Sequence, residues 1–157
     1  MTEQSGSPPF DPDAWHDQAL WGLAFRGGSG HLGDWTSELI LDIDRILGVR
    51  WEGEEVVHRV APARLTFEDV CGLRIDLDWP AANDGMDPPL IHLVERAPAV
   101  HGCDVPCYAF TIRFELGTTG TITFRASGFR EEILTESLEV RERWILSVAE
   151  RKALLGG

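Results

Sequence analysis

Lysine is almost missing from this 157-residue chain: Lys152 stands alone beside 13 arginines. Positive charge is scarce altogether, because 26 Asp and Glu against 14 Lys and Arg leave a formal net charge of -12. Phosphate backbones and anionic lipid repel such a chain, which argues against nucleic acid and membrane surfaces as partners. The preference for Arg reads as genome composition, or as planar pairing of guanidinium groups with carboxylates. Cysteine is sparse too, and its odd number, three, does not suggest a disulfide framework. Long apolar runs are absent: Leu39-Ile40-Leu41 and Trp144-Ile145-Leu146 fall far short of the ~20 residues a membrane helix needs. Residues Met1 to Pro9 carry neither the basic start nor the apolar core of a signal peptide. These absences lead to the expectation of a cytoplasmic protein.

What is present suits one ordinary domain. Hydrophobic residues make up 43% and charged residues 25%, near the globular average, so disorder, collagen and coiled coil are poor readings. Residues 1–9 read as a loose tail and 10–157 as one domain, with no fixed-period repeat and no linker. Asp11-Pro12-Asp13 has the form of a short helical turn, Asp11 capping and Pro12 first. Beyond it the dominant period is two. Trp21, Leu23 and Phe25 share a face before the break at Gly27-Gly28-Ser29-Gly30, and Leu39, Leu41 and Ile43 share another. Around Asp44–Leu47 the alternation weakens, so a change to helix is open there. Val56–Val60 and Arg64–Val70 read as consecutive strands, bent or bulged at Ala61-Pro62. Cys71–Trp79 and Leu90–Val94 read as further strands, with loops over Pro80–Pro89 and Ala97–Pro106.

The clearest pattern is Tyr108–Leu116, where Tyr108, Phe110, Ile112, Phe114 and Leu116 fall on one face. Gly117-Thr118-Thr119-Gly120 then reads as a hairpin connection into Thr121–Ala126. Leu138–Leu146 fits strand and helix equally. Ser147-Val148-Ala149-Glu150 matches a capping box, with Gly156 as C-cap of a short terminal helix. The expected fold is mainly β: an antiparallel sandwich or curled barrel of about eight strands with a C-terminal helix.

Chemistry-bearing motifs are few. His101, Cys103 and Cys107 place three soft ligands in seven residues. A structural zinc site takes about four ligands from two close couples, and only one loose couple is present, so the stretch reads as a turn. Asp42 with Asp44 and Asp76 with Asp78 form two i,i+2 pairs, expected on outward strand faces. If their strands were neighbours, four carboxylates would share one surface, suited to a divalent cation, to acid/base work, or simply to solvent. His16-Asp17 is a candidate pair in which the carboxylate orients the imidazole, or else a structural hydrogen bond at a strand entry. His58 and His92 stand alone within apolar strands and read as core-edge residues. Gly27 to Gly33 lacks the Lys-Ser/Thr ending of a phosphate loop. Among six tryptophans, Trp35 and Trp51 lie near turns and are candidate exposed anchors. No motif calls for a cofactor, and no nucleophile elbow is present.

Several segments carry a resemblance. Trp15-His16-Asp17, Leu23-Ala24-Phe25, Glu38-Leu39-Ile40-Leu41-Asp42-Ile43-Asp44, Pro62-Ala63-Arg64-Leu65-Thr66-Phe67-Glu68-Asp69-Val70 and Phe124-Arg125-Ala126-Ser127-Gly128-Phe129 resemble an uncharacterised family of small bacterial β-rich proteins. These are strand-and-turn patterns, so the resemblance implies a fold and no activity. Leu65 to Val70 is also similar to small bacterial immunity proteins that neutralise toxins. The leading expectation is a non-enzymatic binding module, of immunity type, whose acidic face binds a basic protein. The alternatives are a small enzyme or ligand carrier with Asp42, Asp44, Asp76 and His16 at a pocket mouth, and a homo-oligomer joined through Trp35 and Trp51.

Overall fold

The computed structural model describes residues 9–78, 88–99, 107–115 and 117–157. Alternation of apolar and polar residues produces antiparallel ladders, and two sheets result. Strands β1 (Leu20–Gly27), β2 (Ser37–Glu52), β3 (Glu55–Glu68) and β8 (Gly128–Ile133) form one sheet in the order β1-β2-β3-β8, and β9 (Leu138–Arg141) also pairs with β3. Strands β4 (Cys71–Asp78), β5 (Ile91–Ala99), β6 (Cys107–Phe114) and β7 (Thr119–Ala126) form the other, in the order β4-β7-β6-β5. Helix α1 (Val148–Leu155) ends the chain. The sheets face each other without closing, so of the two expected architectures the sandwich is the one formed.

The inner faces supply the main core. Leu39, Leu41, Ile43, Leu65 and Phe67 from one sheet meet Ile91, Phe110, Ile112, Phe114, Ile122 and Phe124 from the other, all almost fully buried. The Tyr108–Ala126 hairpin forms as expected, with Phe110 opposite Phe124 and Ile112 opposite Ile122. The N-terminal turn closes one end: Trp15 is buried against Phe129, and Phe10 packs on Trp15, Phe110 and Phe129. The chain changes sheets at one corner, where the Ser127 N–H donates to the Glu68 carbonyl at 2.9 Å.

Four local expectations are corrected. No helix forms at Asp44–Leu47; β2 runs through it with an irregularity between Ile46 and Gly48, which absorbs the broken alternation. The two strands expected around Pro62 are one, β3. Pro62 lies opposite Asp44, whose own N–H donates away from β3 to Ala19, so Pro62 owes β2 no donor. Its nitrogen faces instead the gap between β8, which ends opposite Ala63, and β9, which begins opposite Val60. Strand β8 was not expected, because Arg130, Glu131 and Glu132 hide its alternation. The third loop begins later than Ala97, since Ala97, Pro98 and Ala99 extend β5, an edge strand where proline is tolerated. Of the ambiguous Leu138–Leu146 segment, Leu138–Arg141 is strand. The loop over Pro80–Asp87 lies outside the described residues.

Glycine is required at position 120, where φ is +127° and an added Cβ would stand 2.1 Å from the Asp76 carbonyl oxygen. Gly117 has φ +73° but open space around it. Gly120→Ala is expected to destabilise by about 3 kcal/mol or more, combining overpacking with backbone strain, and Gly117→Ala by about 1 kcal/mol. Equal effects in urea denaturation would contradict this account.

Candidate functional site

The two acidic pairs do not converge. Asp42 belongs to β2 and projects from the outer face of the five-stranded sheet, whereas Asp76 and Asp78 are exposed on β4, on the outer face of the opposite sheet. The expected four-carboxylate surface is therefore not formed. Asp42 lies 3.8 Å from Arg64 across the β2–β3 ladder.

Asp44 corrects the expectation more sharply, for it is fully buried. Helix α1 covers the outer face of the five-stranded sheet here, beside a second small core of Val60, Val140 and Leu146. The Asp44 carboxylate pairs with the Arg151 guanidinium of α1, itself 8% exposed, and accepts the Leu146 N–H at 3.0 Å. Arg151 also donates to the Ile43 carbonyl and lies 5.5 Å from the Trp21 ring. The buried Trp21 Nε1 approaches the same carboxylate without closing a hydrogen bond. Burial pushes the Asp44 carboxyl above its usual range, against the opposing effects of Trp21, Leu146 and Arg151. Asp44 is an anchor for the helix and takes no part in an exposed acidic stripe.

Alongside this anchor runs a cleft of about 370 Å³, lined by Trp21, Asp42, Arg64, Leu134, Arg151 and Lys152, with Val148 and Leu155 of α1. Of the residues expected at a pocket mouth it includes Asp42 alone; Asp44 lies beneath it, and Asp76 and His16 lie elsewhere. The start of α1 is built as its sequence implies. The Ser147 hydroxyl accepts the Glu150 N–H at 3.2 Å and Glu150 accepts the Ser147 N–H at 2.8 Å. Arg143 grips the Glu150 carboxylate through both terminal nitrogens.

Both candidate tryptophans are exposed, Trp35 at 81% and Trp51 at 72%. Trp35 precedes β2 and Trp51 lies at its far end, with at most roughly 50 Å of extended chain between them at about 3.3 Å per residue, so one chain does not present them as one patch. Trp51 occupies the outer face of the β2–β3 hairpin end, with Val56 opposite it and Val49 opposite His58. The His58 ring lies 6.2 Å from that of Trp144. Val49, Trp51 and Trp144 thus form an exposed apolar strip. Glu142, whose carboxylate accepts the Val56 N–H, and Glu54 of the hairpin turn adjoin it, whereas Glu52, Glu55 and Glu139 alternate onto the reverse face of the same strands. Arg50 is held by Glu52 and Glu139, and Arg141 by Glu52 and Glu55. Glu54 and Glu142 have no cationic partner among the described residues.

His16 takes its orienting carboxylate, with Nδ1 3.1 Å from Asp17. His92 is not alone, a second correction: its Nε2 lies 3.2 Å from Glu115, and its ring centre is 5.5 Å from that of His16. Sequence reasoning missed this pair because 76 residues separate partners that only the sandwich brings together. Cys107 is buried at the start of β6, and its burial, then nearby Cys71, holds the thiol above its ordinary pKa. His101 and Cys103 lie outside the described residues. Among the described residues no helix is long and apolar enough to cross a membrane. In comparisons with known proteins, no family model, curated protein or solved structure matches the chain.

Two outcomes follow from the helix anchor. Arg151→Met is expected to destabilise by about 3–5 kcal/mol, since it strands a buried charge, and Asp44→Asn combined with Arg151→Met to recover most of that loss. A double variant no more stable than the single one would refute the pairing. Arg143, then Ser147, draw the Glu150 carboxyl down to about 2 from its ordinary 4.5. A depressed carboxyl stabilises the folded state above the unfolded value and loses that contribution as pH falls. The stability advantage of wild type over Glu150→Gln should therefore shrink from about pH 4.5 to about pH 2.

Proposed function

We propose that the chain is a non-enzymatic binding module whose partner is a basic protein. The observation that carries this reading is the exposed apolar strip of Val49, Trp51 and Trp144 at the β2–β3 hairpin end, beside the carboxylates of Glu54 and Glu142. Interfaces are built this way: an aromatic anchor desolvates at the centre while a charged rim selects the partner. Arg50 and Arg141 are already occupied by Glu52, Glu55 and Glu139, so a partner meets uncompensated Glu54 and Glu142. The net charge of -12 accelerates encounter with a cationic surface and rejects an anionic one. An immunity-type role, occluding a basic toxin, is the specific form of this proposal. Its sequence likeness adds little, because Leu65, Phe67 and Val70 are core positions.

The test is affinity capture with the full chain as bait, comparing wild type with Trp51→Ala. Wild type should retain a basic protein at low salt and release it near 0.5 M or so, where screening shortens to a few ångströms. Trp51→Ala should weaken retention by about 2 kcal/mol or more. Recovery of no basic partner at low salt, or a partner indifferent to Trp51, overturns the proposal. The cleft beside α1 supports a second reading, a carrier of small molecules, for which Asp42→Asn and Lys152→Ala would alter ligand uptake while leaving protein capture unchanged.

A further inference from the structure

We infer that His16 and His92 form a binding site for one transition-metal dication of the copper, nickel or zinc type. The two imidazoles come from different layers of the molecule, His16 from the N-terminal turn and His92 from β5, and their ring centres lie 5.5 Å apart at an interplanar angle of 57°. Two imidazoles on one tetrahedral ion, with metal–nitrogen bonds of about 2.0–2.1 Å, hold their ring centres about 5 Å apart. The observed spacing needs little adjustment to admit an ion.

The surroundings of each ring fit that use. His16 has Nδ1 on the Asp17 carboxylate and His92 has Nε2 on Glu115. Each ring keeps one nitrogen without a partner among the described residues: Nε2 of His16 and Nδ1 of His92. A carboxylate on the far nitrogen is the arrangement that orients metal-binding histidines and raises their basicity. The backbone holds both in place. Asp17 donates to the Ile91 carbonyl at 2.8 Å, and Ile91 donates back to Gln18 at 2.9 Å. Asp17 itself sits at φ +61°, a left-handed conformation that turns the chain sharply after His16. The backbone that carries both rings is thus fixed before any ion arrives, which lowers the ordering that binding requires.

Among the described residues no group of three or more His, Cys, Asp or Glu side chains is placed to hold a metal. Two imidazoles therefore supply the protein ligands and water completes the shell, leaving open positions on the ion. Nitrogen ligands favour the later first-row dications over magnesium or calcium, and copper(II) most of all. A bound ion would also staple the N-terminal turn, with its core residues Phe10 and Trp15, onto β5.

Titration calorimetry on the full chain with Cu²⁺ alone and Zn²⁺ alone tests the site. One saturable equivalent should bind, copper more tightly than zinc, and the thermal midpoint should rise with the ion. His16→Ala and His92→Ala should each abolish that equivalent, and Asp17→Asn or Glu115→Gln should weaken it by about 10-fold or more. Both histidines are partly exposed, so the metal-free midpoint of each variant verifies that the fold survives. Paramagnetic Cu²⁺ should broaden the ring resonances of His16 and His92 before those of His31 and His58. Absence of saturable binding, or binding unchanged in His16→Ala, overturns the inference. So does an equivalent lost instead in a chain carrying Cys103→Ser and Cys107→Ser.

Discussion

Phe67 is the contact on which the two sheets depend. Its ring lies 4.7 Å from Phe124 and 5.0 Å from Phe110, both edge-on, while those two stack at 5.4 Å. Such aromatic contacts add about 0.5–1.5 kcal/mol each beyond the area they bury. They also impose direction, because only one register of β3 against the β6–β7 hairpin lets the rings interlock. The neighbours follow from that register. Leu65 and Phe67 face inward opposite Leu41 and Leu39, and Phe129 of β8 stands opposite Phe67 and reaches Trp15.

Strands β2 and β3 are longer than the sandwich they help to build. Their inner faces serve the main core, while the outer face near Asp44 and Val60 serves a second core under α1. Polar residues at alternate positions thus meet different fates along one strand. Asp42 remains at the surface, whereas Asp44, two residues on, is buried and must be paired. A buried ion pair is a weak source of net stability, and here it ties α1 to β2 beside the apolar contact that Leu154 makes with the second core. Past that core the hairpin end is left with apolar side chains on one face and paired arginines and glutamates on the other.

Much of the architecture was legible in the residue pattern. The Tyr108–Ala126 hairpin, the core faces of β2 and β3, and the cap of α1 all follow from local rules with a period of two or a capping box. The errors lay where a local rule met a tertiary neighbour. The broken alternation at Ile46–Gly48 looked like a helix start because a bulge and a change of period leave the same trace. Pro62 looked like a strand break because its missing donor matters only where a partner is present. The site residues are legible by type rather than by grouping: Trp35 and Trp51 are exposed, as their places near turns imply, but the length of β2 keeps them apart. Asp42, Asp44, Asp76 and Asp78 looked equivalent, yet one is buried and the others divide between two faces.

The scarcity of lysine and the surplus of carboxylates are properties of the chain alone, and they set the sign of its net charge before any fold is known. Alternation likewise determined that sheets would form and which side chains share a face, because the strand period relates neighbours only a few residues apart. Tertiary structure decided which charges stay uncompensated and which histidines meet. Asp44 finds Arg151 across 107 residues, and His16 finds His92 across 76, through contacts that no local pattern encodes. Electrostatic and ligand chemistry act over a few ångströms of space, and folding alone sets those distances.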